Sequence, residues 1–152
     1  MRTRRTPLQE SDLLPPILTL VVDDDEAILR LVSRKLELSG IPCDTALSAK
    51  AALELVRRHR YRVVISDINM PGMTGVELVG EVKEIAPLTQ MIMLTADAHI
   101  APAADLIARG ACEYISKAED MSLLVEETKR CFVRAERWFK SFELRRLARA
   151  NT

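Results

Sequence analysis

Asp67 ends the run Val63-Val64-Ile65-Ser66 and is followed by Ile68-Asn69-Met70-Pro71-Gly72, so an apolar, β-branched stretch delivers a carboxylate into a loop that a proline stiffens. Such a run reads as a strand buried on both faces of a parallel sheet, and ligands of such sheets gather at the carboxyl ends of the strands. The spacing predicts that Asp67 is presented at that edge rather than buried. Aspartate also opens turns, and taken alone Asp67 supports that reading equally. Other chemistry-bearing groups occupy the same kind of position. Asp23-Asp24-Asp25-Glu26 follows the apolar run ending at Val22, Thr95 follows Leu94, and Lys117 follows Ile115 and Ser116. An acidic first turn suits the start of a helix. That accounts for Asp25 or Glu26 and leaves Asp23 and Asp24 over.

The elements that would position these groups alternate. A strand over Ile17 to Val22 precedes a helix from about Glu26 to Ser39, with Ile28, Val32 and Leu36 at helical spacing, Leu29 and Leu31 alongside, and Gly40 as the stop. After Pro42 a short strand covers Cys43 to Ala46. Ser48 then caps a helix to Arg58 that turns Ala52, Leu55 and Val56 inward. The central strand leads to a helix from about Thr74 to Ile85 with Leu78, Val82 and Ile85 on one face. Gln90 to Leu94 is a fourth strand, about Ala98 to Arg109 a helix, Cys112 to Ile115 a fifth strand, and everything from Met121 one long helix. Five β-α repeats with short connections specify an α/β fold, doubly wound around a five-stranded parallel sheet. Right-handed crossovers put all strand ends on one edge, so Asp23, Asp24, Asp67, Thr95 and Lys117 converge on one crevice. Converging carboxylates raise one another's pKa and destabilise the fold unless a cation neutralises them. A hard divalent ion held by carboxylate and carbonyl oxygens, Mg²⁺, fits that need. With the Lys117 ammonium and the Thr95 hydroxyl added, the crevice is a receptor for a phosphoryl group on the Asp67 carboxylate.

The 152 residues, 48% of them hydrophobic, suffice for one domain with appendages. Lys and Arg number 22, as do Asp and Glu, so no global charge argues for nucleic acid or a membrane surface. Residues 129–152 nonetheless carry eight Lys/Arg against two Glu, leaving the part with the crevice acidic. Cys43, Cys112 and Cys131 are odd in number and widely spaced, without a metal-binding cluster, and read as reduced thiols. The sequence has neither a membrane-length apolar run nor a signal-peptide core, so a cytoplasmic location is expected. Residues 1–16 end in Pro15-Pro16 and read as a flexible arm, residues 17–130 as the domain, and residues 131–152 as a projecting continuation of the last helix. From Met121 to Arg149 that helix would span roughly 43 Å against the ~30 Å width of a small domain. Leu124, Thr128, Cys131, Ala135, Trp138 and Phe142 make an apolar seam along it. Trp138, Phe139 and Phe142 would then be exposed, which points to a homodimer contact or a lead into an output domain. No motif supports nucleic acid as a partner.

Val21-Val22-Asp23-Asp24, Asp67-Ile68-Asn69-Met70-Pro71 with Gly75 beyond, Leu94-Thr95-Ala96, Gly110-Ala111 and Tyr114-Ile115-Ser116-Lys117 together resemble the receiver domain of bacterial two-component response regulators over roughly residues 17 to 130. The resemblance implies a flavodoxin-like fold and a phosphorylation-dependent switch, not an enzyme acting on other substrates, that catalyses its own phosphorylation and dephosphorylation. It makes Asp67 the phosphoacceptor and gives Mg²⁺ the ligands Asp24, Asp67 and the Asn69 carbonyl, with Asp23 acting through water. Thr95 and Lys117 would contact the phosphoryl group, Thr95 and Tyr114 would switch together, and Asn69 and Asp97 would tune dephosphorylation. A sensor histidine kinase or phosphotransfer protein is the implied donor. The family's usual Lys-Pro is here Lys117-Ala118, where a trans bond and a slacker loop are expected. Two other readings compete. A haloacid-dehalogenase-like phosphatase needs Asp-x-Asp-x-Thr/Val after the first strand, and Asp23-x-Asp25-x-Ala27 fails its last position. A receiver-like module that is never phosphorylated would have no use for the full set of acidic and phosphoryl-contacting residues.

Overall fold

The computed structural model describes residues 17–96, 100–117 and 121–151. The arm 1–16, Asp97 and Ala118 lie outside the described residues. Alternation of side chains along three apolar strands builds the core. In β1 (Thr19–Val22), β3 (Val63–Asp67) and β4 (Gln90–Thr95) every residue is buried, because successive side chains point to opposite faces and both faces are covered. Leu20, Val22, Val64, Met91 and Met93 face one side, where α2 (Ala49–Arg58), α3 (Gly75–Ile85) and α4 (Ile100–Ala108) pack. Val21, Val63, Ile65, Ile92 and Leu94 face the other, against α1 (Glu26–Leu38) and α5 (Met121–Ala150). With β2 (Cys43–Ala46) and β5 (Glu113–Ser116) the sheet is five-stranded and parallel, in the order β2-β1-β3-β4-β5. The connections reverse direction between β1 and β3, and the crevice outside the carboxyl ends of those two strands is where such folds bind ligands.

Several local expectations need correction. The first strand starts at Thr19, with Ile17 exposed before it. The inward face of α1 is Leu29, Val32 and Leu36, while Ile28 is half-buried and Leu31 faces solvent. On α2 Ala49 and Leu53 join Ala52 and Val56, and Leu55 is only half-buried. On α3 Val79 takes the inward place expected of Ile85, which at the last turn is 37% exposed. The fifth strand is shifted one residue on, to Glu113–Ser116. The cysteines are free thiols, as expected, and Cys112 and Cys131, though far apart in sequence, bring their sulfurs within 2.8 Å of each other.

The last helix is a single element of 30 residues, roughly 45 Å long. The seam Leu124, Thr128, Cys131 and Ala135 is buried against the sheet, so docking continues past residue 130. It reaches Glu136, which accepts from Arg62 Nε at 2.7 Å. Phe139 is half-buried rather than exposed, because the Arg62 guanidinium lies 3.7 Å over its ring. Trp138 and Phe142, by contrast, are 53% and 61% exposed, as the spacing predicts.

Candidate functional site

Each strand end that borders the switch between β1 and β3 contributes a group. Asp23 leaves β1 buried, 2% exposed, and its Oδ1 accepts the Asp25 N–H at 2.9 Å. Asp25 in turn caps α1, accepting from Ala27 N at 2.9 Å and Ile28 N at 3.4 Å. The run of carboxylates therefore divides: Asp25 serves the helix, and Asp23 and exposed Asp24 serve the crevice.

Asp67 closes β3, and at 6% exposure it is buried, contrary to the expectation of a presented carboxylate. The cover comes from β5: Lys117 Nζ reaches across to Asp67 Oδ1 at 3.2 Å and Asp23 Oδ2 at 2.9 Å. The backbone of this loop is tightly held. Ser66 Oγ donates to the Asp67 carbonyl at 2.9 Å, Ile68 N donates to Leu94 O at 3.1 Å, and Gly75 N donates back to Ile68 O at 2.7 Å. Gly72 takes a φ of +83° in the turn after Pro71, a conformation that favours glycine. Gly75 is required for a different reason. A Cβ there would stand 2.4 Å from the Asp67 carbonyl oxygen and 2.7 Å from Ile68 Cα, so the start of α3 can press against the site loop only without a side chain. Ser66 and Gly75 are supports that the sequence signalled faintly, as a hydroxyl inside an apolar run and a glycine opening a helix.

Burial is the largest influence on Asp67 and raises its pKa above the ordinary carboxylate value; Asp23 pushes the same way, while Lys117 and the Asn69 backbone N–H oppose. Burial works against the Lys117 ammonium, yet Asp23 and Asp67 together hold its pKa above the usual lysine value. Carboxylate oxygens of Asp23, Asp24 and Asp67 all lie within 4.8 Å of one another, and buried Asp23 Oδ2 is met by the Lys117 ammonium at 2.9 Å. This set of hard oxygens, with Asp24 exposed beside the buried pair, suits a divalent cation such as Mg²⁺.

Thr95 ends β4, buried, and its carbonyl accepts the Lys117 N–H at 2.6 Å, tying the lysine's backbone to the next strand. Tyr114 does not join the carboxylates. It is half-buried, paired in register with Met93, and packs on the side of the sheet that α2, α3 and α4 cover. Asn69 is exposed in the loop. The structure thus gathers Asp23, Asp24, Asp67 and Lys117 around one point with Thr95 adjoining, and leaves Tyr114 beside rather than in the cluster.

A model of the response regulator receiver domain matches residues 19–129. The response regulator protein FleR of Pseudomonas aeruginosa is 34% identical over 107 residues, covering 70% of this chain and 23% of its own length. The DNA-binding transcriptional regulator NtrC of Escherichia coli is 33% identical over 110 residues, 72% of this chain and 24% of its own. This chain therefore spans about a quarter of the length of these curated relatives. Among solved structures, a CheY-like response regulator receiver domain protein from Methanospirillum hungatei matches with a TM-score of 0.74 at 29% identity, over 78% of this chain and 95% of that one. The chemotaxis protein CheY4 of Vibrio cholerae matches at 0.70 and 32% identity, over 74% and 96%.

Proposed function

The chain belongs to the response regulator receiver domain family of two-component systems, and from that premise we propose that it is a phosphorylation-dependent switch with Asp67 as its phosphoacceptor. The observation that carries this reading is the Lys117 ammonium, which joins Asp23 and Asp67 at 2.9 and 3.2 Å with Asp24 alongside. That arrangement holds one buried carboxylate oriented and next to a cation, as suits a nucleophile toward phosphorus.

In this reading an Asp67 carboxylate oxygen attacks the phosphorus of a phosphohistidine on a partner kinase or phosphotransfer protein. The O–P bond forms as the P–N bond breaks, and the released imidazole takes up a proton. Lys117, already paired with Asp67, moves its charge onto the phosphoryl oxygens, and the Thr95 hydroxyl gives them a neutral hydrogen bond. Asp23, Asp24, Asp67 and the Asn69 carbonyl would hold Mg²⁺, which when bound offsets negative charge on the carboxylates and the phosphoryl group. The domain's own groups promote both gain and loss of the phosphoryl group, with Asn69 and Asp97 setting the rate of loss. Thr95 and Tyr114 relay the change to the surface, and α5 carries it to a second copy or to an output domain in a cytoplasmic pathway. NtrC, named as a DNA-binding transcriptional regulator and about four times as long as the matched part, illustrates an output of that kind. No helix among the described residues is long and apolar enough to cross a membrane.

The test is incubation with Mg²⁺ and acetyl phosphate, followed by intact-mass measurement. One added phosphoryl group is expected on the wild type and none on Asp67→Asn. Equal labelling of both would overturn the assignment. Phosphate release from small esters without a stable adduct would favour the phosphatase reading.

A further inference from the structure

Cys112 and Cys131 meet far from the carboxylates. Cys112 leads into β5, its backbone fixed by an N–H donated to Met91 O at 2.8 Å. Cys131 belongs to α5 and is 3% exposed within the core between that helix and the sheet. Their Sγ atoms are 2.8 Å apart, short of ordinary separation between thiols and beyond the bonded distance of about 2.05 Å. Cys112 as a residue is half-buried and Cys131 is buried.

The surroundings divide the two sulfurs chemically. The two sulfurs share a hydrogen bond that either can donate, and it is the largest influence lowering the Cys112 pKa; Arg134 and Lys83 act in the same direction, against burial and Glu113. Lys83 is held in place by donating to the Thr89 and Pro87 carbonyls, with its stem lying against Gly110. Cys131 is pushed the other way by the same contact with Cys112 and by burial, with Glu127 adding and Arg134 opposing. Cys43 is a natural control: it touches neither, and burial with Glu37 and Asp44 pushes its thiol up to about 12.

We propose that Cys112 and Cys131 are a redox modification site, forming an intramolecular disulfide on exposure to a two-electron oxidant of the peroxide class. The Cys112 thiolate attacks one peroxide oxygen and the O–O bond breaks. The leaving hydroxide takes a proton and departs as water, leaving Cys112 as a sulfenic acid. The Cys131 sulfur then attacks the oxidised Cys112 sulfur. The S–S bond forms, the S–O bond breaks, and the Cys131 proton leaves with the hydroxyl as a second water. Two thiols lose two electrons and one peroxide becomes two waters; a dithiol reductant reverses the change by exchange. This site stands independently of Asp67.

The reduced full chain is treated with a small excess of hydrogen peroxide, alkylated, and mapped by peptide mass. The expected result is joint loss of alkylation at Cys112 and Cys131, a peptide linking them, and Cys43 alkylated as before, reacting about tenfold more slowly or less. In Cys131→Ser the reaction should halt at a Cys112 sulfenic acid that a cyclic dione traps. Full alkylation of all three thiols, Cys43 reacting as fast as Cys112, or a cross-link only between chains would each overturn the proposal. The wild-type map decides the matter even if the serine variant folds poorly.

Discussion

The two ends of the sheet solve opposite problems. At the carboxyl ends of the strands, charges are buried, so every one must be met by a partner fixed in place: Lys117 for Asp23 and Asp67, the Asp25 N–H for Asp23, a side-chain-free Gly75 beneath the loop. At the amino ends α5 runs on beyond the core, and long amphipathic side chains do the joining. Arg62 pairs with Glu136 through its head and covers Phe139 with its guanidinium face. Beside it opens a groove of about 490 Å³ lined by Val56, Ile85, Pro87, Phe139 and Phe142. One end depends on the identity of single residues, since a buried unpaired charge costs several kcal/mol. The other depends on the length and pattern of a helix, and tolerates apolar surface left open.

The contrast can be broken most sharply at Gly75. A Cβ there meets backbone, which cannot rotate aside, so Gly75→Ala should cost about 2–3 kcal/mol in urea unfolding. In the same helix Gly80 has open space where a Cβ would stand, and Gly80→Ala should instead gain about 0.5–1 kcal/mol from helix propensity. A similar effect of both changes would mean that close approach at the site loop is unimportant.

A smaller effect, of the opposite sign from most site mutations, is expected of Asp67→Asn. Because burial raises the Asp67 pKa in the folded state, its ionised form costs stability at every pH above that folded value. The cost disappears as pH falls below the unfolded value, where both states are protonated. Without divalent cations Asp67→Asn should therefore melt a few degrees higher than wild type at pH 7, and the gap should close both on acidification and on adding Mg²⁺. A lower melting point for the variant would mean that loss of the Lys117 pair outweighs relief of the buried charge.

At the far end, Trp138→Ala combined with Phe142→Ala should change stability by no more than about 0.5 kcal/mol, since neither residue joins the core. Sedimentation should nonetheless show the wild type associating and the double variant monomeric. A large loss of stability would place these rings in the body of the domain; unchanged association would remove them from the contact.

Much of the fold was legible because three strands are buried on both faces and so appear as unbroken apolar runs, at Leu20 to Val22, Val63 to Ile65 and Met91 to Leu94. The crevice was legible because parallel topology converts "last residue of a strand" into a position in space. Burial of Asp67 was not, because its cover arrives from β5, fifty residues later along the chain, as the Lys117 side chain. Nor was the thiol pair: Cys112 and Cys131 are 19 residues apart, and which sulfurs meet depends on how far α5 docks. That depth was underestimated since Arg62, a charged residue in a sequence reading, acts here as packing material for Phe139.

The same docking gives α5 a mechanical property. Its first half is pressed against the sheet up to Ala135, and the Arg62–Glu136 pair sits where the free half begins. A straight helix is stiff, so that point is a fulcrum. The remaining 15 residues to Ala150 make an arm of roughly 22 Å, and a tilt of about 5° at the fulcrum would sweep its tip through about 2 Å. Displacements too small to alter the core are thus magnified along the arm, and anything that grips the tip reads an angle rather than a chemical bond.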